Sequence, residues 1–256
     1  MDQLKKINCG VLFNAKENNF SEYLSWLNDY VSENKNVDLK IFTNDISFVK
    51  KNLLIKDVKL VDSFSEILDF SDLLISLGFW KIIKKENIEK VPLGIVNFHH
   101  SYKLKYRGRH CSSWVLKNDE TYHGSTMHYL DENLDQGRII DSKSFKIGYD
   151  DVAEDLFKKA NDIGLQMLKE NFVSLIQGSI ARKIELSEKQ YLYKKNDLSH
   201  EISNKFVNHE NDFLREIRSL TFNNKPSPYI ILNNKKVYLK LEDYDSGILG
   251  KVNNEV

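Results

Sequence analysis

The chain has 256 residues, with 37 lysines and arginines against 37 aspartates and glutamates, so its formal net charge at pH 7 is zero. This length is typical of one large domain, or of one domain with a small appendage. The balanced charge gives no broad electrostatic reason to expect nucleic acid as a partner. No apolar run is long enough to suggest a membrane span, and the short amino-terminal run is interrupted by Asn8, so we expect no signal peptide.

The cysteine content favours a reducing compartment. Cys9 and Cys111 are the only cysteines. Two cysteines are too few for a disulfide scaffold, and their spacing is not that of a zinc site. We therefore expect a cytoplasmic protein without a structural metal.

The first hundred residues alternate between strand and helix patterns. Residues 7–13 form an apolar run typical of a buried strand, and residues 20–31 follow with apolar side chains at helical spacing. Further strand patterns lie at residues 37–43, 71–78 and 94–100, with a helix predicted at 79–90. This alternation predicts an α/β fold, a Rossmann-like and mostly parallel sheet with flanking helices.

The second half of the chain continues the sheet and then changes character. Strands are predicted at residues 124–131 and 138–147, followed by a long helix at about 151–177. Beyond these, we expect a helix near 199–220 and a hairpin at 229–241 that turns at Asn233 and Asn234. We therefore divide the chain into a catalytic domain at 1–180 and a small, β-containing carboxyl-terminal subdomain at 181–256.

Two polar side chains, Asn97 and His99, lie at the end of the apolar strand 94–100. Buried polar groups cost free energy unless they are hydrogen-bonded or used in function. In open α/β sheets, ligands bind outside the carboxyl ends of the strands, which is where these residues are expected. Taken alone, the pair is a weak signal, since a histidine on an apolar strand is more often structural.

An ordered set of motifs around this pair makes the signal specific. The set consists of Asn97-x-His99-x-Ser101, Tyr106-Arg107-Gly108, Trp114, Gly124-x-Thr126-x-His128 and Asp135-x-Gly137-x-Ile139. In order and approximate spacing, it resembles the catalytic core of the folate-dependent formyltransferase family. The resemblance covers residues 72–178.

The resemblance implies transfer of a formyl group from 10-formyltetrahydrofolate to an amine, with Asn97, His99 and Asp135 as catalytic residues. The chemistry suits these side chains, because attack of an amine on a formyl carbon builds negative charge on oxygen and positive charge on nitrogen. Asn97 can donate to the developing oxyanion, and Asp135 can orient and polarise His99. Either His99 or Asp135 could be the final base.

The resemblance also implies two sets of binding residues and no metal. The pterin of the folate is expected to contact Phe79, Trp80, Ile82, Leu130, Asp131 and Leu134. The acceptor is expected to contact Ser101, Tyr106, Arg107 and Arg109, since arginine forks suit anionic oxygens. Four other histidines have no spacing that zinc would need, and these are His100, His110, His123 and His128.

Among members of the family, the chain looks most like sugar N-formyltransferases that act on dTDP-linked amino-dideoxy sugars for bacterial surface polysaccharides such as the O-antigen of lipopolysaccharide. The segment after residue 180 is longer than a glycinamide ribonucleotide enzyme needs, and is shorter and less basic than the tRNA-binding domain of a methionyl-tRNA formyltransferase. Two further hypotheses are a formyltetrahydrofolate hydrolase and a non-catalytic folate- or nucleotide-binding protein. The apolar hairpin at 229–241 favours a homodimer.

Overall fold

A computed structural model describes residues 6–16, 20–52, 59–133, 135–180, 184–206, 209–223 and 225–241. Its centre is a seven-stranded sheet, whose strands are β1 (Ile7–Phe13), β2 (Val37–Thr43), β3 (Lys59–Val61), β4 (Leu73–Leu77), β5 (Ile95–His99), β7 (Tyr122–Tyr129) and β8 (Ile139–Lys146). Across the sheet they lie in the order β3-β2-β1-β4-β5-β7-β8. The predicted mostly parallel α/β sheet is thus confirmed.

Helices cover both faces of the sheet. They are α1 (Ser21–Glu33), α2 (Ile46–Asn52), α3 (Phe64–Phe70), α4 (Lys85–Ile88), α5 (Cys111–Lys117), α6 (Ala153–Ile176) and α7 (Glu210–Leu220). All five residues of the central strand β4 are buried, as expected for a parallel strand between two helical layers. The predicted long helix forms as α6, which buries Leu156, Met167 and Leu168 in the core.

One strand near the edge of the sheet, β7, runs opposite to its neighbours. β1 to β5 run parallel to one another, whereas β7 is antiparallel to both β5 and β8. Chain direction therefore changes beside β5, the strand that carries Asn97 and His99. Because β7 is antiparallel to β5, the loop after β7 begins beside the amino end of β5.

Two predicted helices are shorter than the sequence pattern suggested. Residues 79–90 are helical only at Lys85–Ile88, because Phe79 and Trp80 pack instead against Phe42, with ring centroids 6.2 and 6.0 Å away. Among the described residues of 199–220, the α-helix begins at Glu210, after a 3-10 turn at Asn204–Phe206. Upstream, the backbone N–H of Ile202 donates to the carbonyl of Tyr229 at 2.8 Å, so this stretch pairs with the hairpin instead.

Two small strand pairs complete the fold. The predicted hairpin forms from β10 (Tyr229–Leu232) and β11 (Lys235–Tyr238), and it turns through Asn233 and Asn234 with φ of 47° and 63°. Two successive left-handed residues suit the twist of a two-residue hairpin turn. The second pair is parallel and joins β6 (Tyr106–Gly108) to β9 (Tyr191–Tyr193).

The boundary near residue 180 between the catalytic domain and the carboxyl-terminal subdomain stays a prediction.

Across the described ranges, we find no helix with the length and apolar character needed to cross a membrane.

Candidate active site

Asn97 and His99 share one face of β5, because alternate residues of a strand point the same way. Phe98 between them points to the opposite face, where its ring packs edge-on against Tyr23 at 5.1 Å. Across the ladder, Asn97 lies opposite His128 of β7. The two predicted catalytic residues of β5 are therefore presented together, beside a third polar side chain.

His128 holds the amide of Asn97. The Nδ1 of His128 lies 2.9 Å from the carbonyl oxygen of Tyr129, which can only accept, so Nδ1 carries the proton. Nε2 is then an acceptor, and it lies 3.3 Å from Nδ2 of Asn97. The Asn97 amide is thereby oriented with one N–H on His128 and the second available to a ligand.

The loop after β7 brings Asp135 to His99. Because β7 is antiparallel, this loop starts beside the amino end of β5, where the N–H of Leu130 donates to Ile95 at 2.7 Å. It then returns to the other end of β5, with Asp135 in a left-handed conformation at φ 50°. Gly137 passes so close to the Tyr129 carbonyl that a Cβ there would overlap it. The glycine of the Asp-x-Gly motif is thus required by this close approach.

His99 and Asp135 form a buried ion pair. The distance from Nδ1 of His99 to Oδ2 of Asp135 is 3.7 Å, and their side chains are only 11% and 9% exposed. On the other side of the ring, Nε2 donates to the carbonyl of Tyr106 at 2.6 Å, and Sγ of Cys111 lies 3.4 Å away. Asp135 also accepts from the N–H of Gly108 at 2.9 Å.

The charge of this pair follows from its surroundings. Burial alone would lower the pKa of His99, but the Asp135 carboxylate, Cys111 and the Tyr106 carbonyl together raise it to about 10. Burial alone would raise the pKa of Asp135, but the His99 cation and the Gly108 N–H hold it below its usual range. At neutral pH the pair is therefore an imidazolium facing a carboxylate.

The neighbouring histidines are neutral. Burial lowers the pKa of His128 to about 4, although Asp135 opposes the shift. Burial and the positive charge of His99 lower the pKa values of His100 and His123 to about 3. In the part of the chain that the structure describes, no three His, Cys, Asp or Glu side chains are grouped as a metal site.

The predicted folate residues lie on two sides of the β5 strand. Phe79 and Trp80 follow β4, and their rings contact each other at a tilt of 51° with centroids 4.6 Å apart, within the aromatic group that includes Phe42 and Phe64. Leu130 packs against the same cluster as Phe79, and Asp131 accepts from the N–H of Asn133 at 2.8 Å. Ile82 is 88% exposed. Leu134 lies outside the described residues, and a folate contact by any of these side chains stays a prediction.

The predicted acceptor residues differ in accessibility. Ser101 is fully buried, and its hydroxyl accepts from the N–H of Tyr106 at 2.7 Å. Tyr106 is buried as well, with its hydroxyl donating to Glu120 at 2.7 Å. Arg107 is partly buried and its charge acts on Asp135, whereas Arg109 is exposed. The structure therefore gives Ser101 and Tyr106 supporting contacts within the protein, and leaves the two arginines nearer to solvent.

Three features of the site go beyond the sequence prediction. The motif pattern includes His128, but its role in orienting Asn97 depends on a cross-strand register that spacing does not reveal. The spacing of the two cysteines bears only on disulfide and zinc chemistry. The structure instead places the sulfur of Cys111 in contact with His99. The N–H of Gly108 is a backbone group, for which the side-chain pattern carries no signal.

Comparison with known proteins relates much of the chain to formyl transferases. Residues 56–171 match the family model described as formyl transferase. A methionyl-tRNA formyltransferase of Clostridioides difficile (strain 630) is 31% identical over 133 residues, which are 52% of this chain and 42% of that protein. The match thus spans about two fifths of the length of the curated relative.

Solved structures resemble the chain over more of its length. A 4-N formyltransferase from Francisella tularensis has a TM-score of 0.79 at 17% identity, covering 93% of this chain and 98% of that one. An N-formyltransferase from Helicobacter canadensis, solved with folinic acid and dTDP-3-aminofucose, has a TM-score of 0.69 at 22% identity, covering 91% and 86%. At these identities the likeness concerns the fold. The chain therefore matches the formyl transferase model over residues 56–171 and has the formyltransferase fold.

Proposed function

We propose that the protein is an N-formyltransferase that uses 10-formyltetrahydrofolate to formylate the amino group of a nucleotide-linked amino sugar. The observation that carries the proposal is that Asn97 and His99 share one face of β5, and that Asp135 of the loop after β7 forms an ion pair with His99 at 3.7 Å. No metal is needed for this chemistry, which involves only charge stabilisation and proton transfer.

Asn97 stabilises negative charge in this mechanism. As the acceptor nitrogen bonds to the formyl carbon, charge develops on the formyl oxygen. The second N–H of the Asn97 amide donates to that oxygen, while the first stays on His128. Because the amide is held before the reaction starts, it needs little reorganisation in the transition state.

Asp135 is the proton acceptor that best fits the charges. His99 is already an imidazolium, so it cannot accept a further proton, and it adds positive charge beside the oxyanion. The balanced reaction forms one bond from the formyl carbon to the acceptor nitrogen and breaks its bond to the folate nitrogen. The acceptor nitrogen loses one proton to Asp135, and Asp135 passes this proton to the folate nitrogen as the bond to the formyl carbon breaks, so that the carboxylate is restored.

A sugar acceptor is favoured over tRNA by the closeness of the structural likeness. The Francisella enzyme superposes with a TM-score of 0.79, whereas a methionyl-tRNA formyltransferase from Clostridium thermocellum, covered almost as completely, superposes with a TM-score of 0.63. Methionyl-tRNA is the second candidate, supported by the higher identity of the Clostridioides difficile enzyme over the matched residues.

The decisive experiment supplies 10-formyltetrahydrofolate and measures tetrahydrofolate release with a panel of acceptors. The panel contains dTDP-linked 3-amino and 4-amino dideoxy sugars, the corresponding UDP-linked sugars, methionyl-tRNA and buffer alone. We expect release, with a formylated product by mass spectrometry, for a dTDP-sugar. Release with methionyl-tRNA alone would favour the second candidate, release in buffer a hydrolase, and no release with folate binding intact a non-catalytic binder.

We also propose that the enzyme is a cytoplasmic homodimer that contributes to surface polysaccharide synthesis. The free, buried thiols of Cys9 and Cys111 suit a reducing compartment.

The homodimer is suggested by the hairpin, where the exposed fractions of Leu232, Val237 and Tyr238 are 47%, 39% and 64%. Light scattering at micromolar concentration should give twice the chain mass, and Val237→Glu should lower it; a monomeric wild type would contradict the dimer.

A further inference from the structure

The strand β6, whose backbone hydrogen-bonds to both His99 and Asp135, pairs with a strand that lies outside the region matched by the family model. β6 pairs in parallel with β9, in the register Tyr106 to Tyr191 and Gly108 to Tyr193. The match to the family model ends at residue 171. A segment of the chain outside the match to the family model therefore pairs with β6, which lies beside the candidate active site.

β6 contacts both members of the ion pair through its backbone. The carbonyl of Tyr106 accepts from Nε2 of His99 at 2.6 Å, and the N–H of Gly108 donates to Asp135 at 2.9 Å. The position of β6 thus helps to set the distance between His99 and Asp135. With only three residues, β6 depends on a neighbouring strand to fix its backbone.

Backbone and side-chain hydrogen bonds fasten the segment around β9 to the segment around β6. Before β6, the N–H of Ser187 donates to the carbonyl of Lys103 at 2.9 Å, and the N–H of Tyr191 donates to the carbonyl of Lys105 at 2.8 Å. After β6, the N–H of Arg109 donates to the carbonyl of Tyr193 at 2.9 Å, and Nε2 of His110 lies 3.2 Å from the carbonyl oxygen of Lys195. These bonds span the whole length of β6 and continue on both sides of it. β6 is therefore flanked by a continuous backbone support.

Aromatic stacking adds to these bonds. Tyr193 stacks on Trp114 with ring centroids 3.9 Å apart and planes at 7°, and Tyr191 stacks on Tyr106 at 5.1 Å and 18°. The side chain of Asn118 donates to the hydroxyls of Tyr106 and Tyr193 at 3.0 and 3.3 Å. Gly108 has φ of 84° and lies so near the Tyr193 carbonyl that a Cβ would overlap it.

We propose that Tyr191 and Tyr193 are positioning residues for formyl transfer: β9 fixes β6, and β6 fixes the His99–Asp135 ion pair. The proposal rests on the proposed function, since the rate it concerns is that of formyl transfer. It extends the catalytic apparatus to residues near 190, in the carboxyl-terminal part of the chain.

The kinetic test compares Tyr193→Ala with a matched control on the same strand. We expect kcat to fall by about ten- to a hundredfold, since misplacement of catalytic groups by about 1 Å can cost a hundredfold, with little change in KM for folate. Leu192→Ala removes an exposed side chain between the two tyrosines and should keep the wild-type kcat. Tyr193→Phe keeps the ring and should retain at least a third of it.

The second readout does not depend on transfer activity. NMR titration of the histidine rings, with His99 assigned through His99→Asn, follows its charge directly. If β6 shifts, His99 loses contact with Asp135 and Tyr106 while staying buried, so its titration midpoint should fall in Tyr193→Ala and stay unchanged in Leu192→Ala. His100, His128 and Cys111, which also face His99, are the same in both variants.

The two readouts distinguish a failure of the positioning role from a failure of the proposed formyltransferase activity. An unmoved His99 midpoint, or a kcat equal to that of Leu192→Ala after correction for folded protein, would overturn the positioning role. If Tyr193→Ala does not fold, Tyr193→Leu is measured in its place with the same two readouts. A wild type that transfers no formyl group would contradict the proposed function, whereas the NMR arm would still decide whether β9 sets the charge of His99.

Discussion

The candidate active site has an amide part, formed by Asn97 and His128, and an ion-pair part, formed by His99 and Asp135. Each part contains a buried histidine, and the two histidines differ in charge. In the amide part, Asn97 and His128 are both neutral, and burial lowers the pKa of His128 to about 4. In the ion-pair part, His99 is also buried, yet Asp135, together with Cys111 and the Tyr106 carbonyl, raises its pKa to about 10. The comparison teaches that these contacts, led by the Asp135 carboxylate at 3.7 Å, outweigh burial in setting the charge of His99.

The two parts also use their hydrogen bonds differently. The amide part directs one N–H of Asn97 into the protein and leaves the other for the formyl oxygen. The ion-pair part supplies a fixed positive charge on His99 and a proton acceptor on Asp135. If this division is correct, removing charge from the ion pair should cost more than removing a neutral donor.

The largest loss is expected when the ion pair loses its negative charge. Asp135→Asn should keep the fold and lower kcat by about three to four orders of magnitude, because the amide keeps the shape but neither charges His99 nor accepts a proton. His99→Asn should be similarly impaired, and the double variant only slightly worse, since residues that act as a unit are not additive. Steady-state rates at saturating substrates measure this, with Asp141→Asn, a buried carboxylate on β8, as the control. Losses that multiply would show that the two groups act independently.

Removal of the neutral donor should have a smaller effect. Asn97→Ala should lower kcat by about two to three orders of magnitude, as expected for one oxyanion donor, and leave folate affinity nearly unchanged. Stopped-assay kinetics together with equilibrium folate binding separate these quantities. Asn161→Ala replaces a buried asparagine of α6 outside the site and should retain wild-type turnover. A near-normal rate for Asn97→Ala would remove this residue from the mechanism.

The sequence predicted the strands of the sheet better than the contacts of the site. Apolar runs such as residues 71–78 specify a buried strand because burial on both faces tolerates few polar residues. The Asn-x-His spacing likewise places two side chains on one face. The sequence could not show that β7 runs antiparallel, and so it could not show that His128 lies opposite Asn97. It also missed that residues 79–84 leave the helical pattern, since aromatic packing overrides local propensity there.

A smaller effect is expected at the residue that orients the amide. His128→Leu removes the acceptor for one N–H of Asn97, and we expect kcat to fall by about three- to tenfold, the equivalent of one ordinary hydrogen bond. His123→Leu is the matched control, because His123 is a buried, neutral histidine of the same strand whose Nε2 lies 3.1 Å from Ser112. Both variants should lose thermal stability, but only His128→Leu should lose turnover. Equal rates in the two variants would show that His128 does not orient Asn97.

The smallest effect is expected from pH in the neutral range, and it tests the charge of the ion pair most directly. An ordinary histidine changes charge near pH 6.5, so a site that used one would change activity between about pH 5.5 and 7.5. His99 has its pKa raised to about 10, so its stabilising charge is complete below the unfolded value of 6.5 and is lost only as pH rises through about 10. Asp135 has a lowered pKa, so its contribution is present above its unfolded value of 3.8 and is lost as pH falls below it.

Once the acceptor amine is deprotonated, kcat should therefore be flat between about pH 6 and 9. The pH profile of single-turnover rates at saturating substrates measures this. Asp135→Asn should bring the histidine transition into the neutral range or below, because burial then acts without the opposing carboxylate. A wild-type transition near pH 6.5 that disappears in His99→Asn would show that His99 titrates as an ordinary histidine and acts as the base.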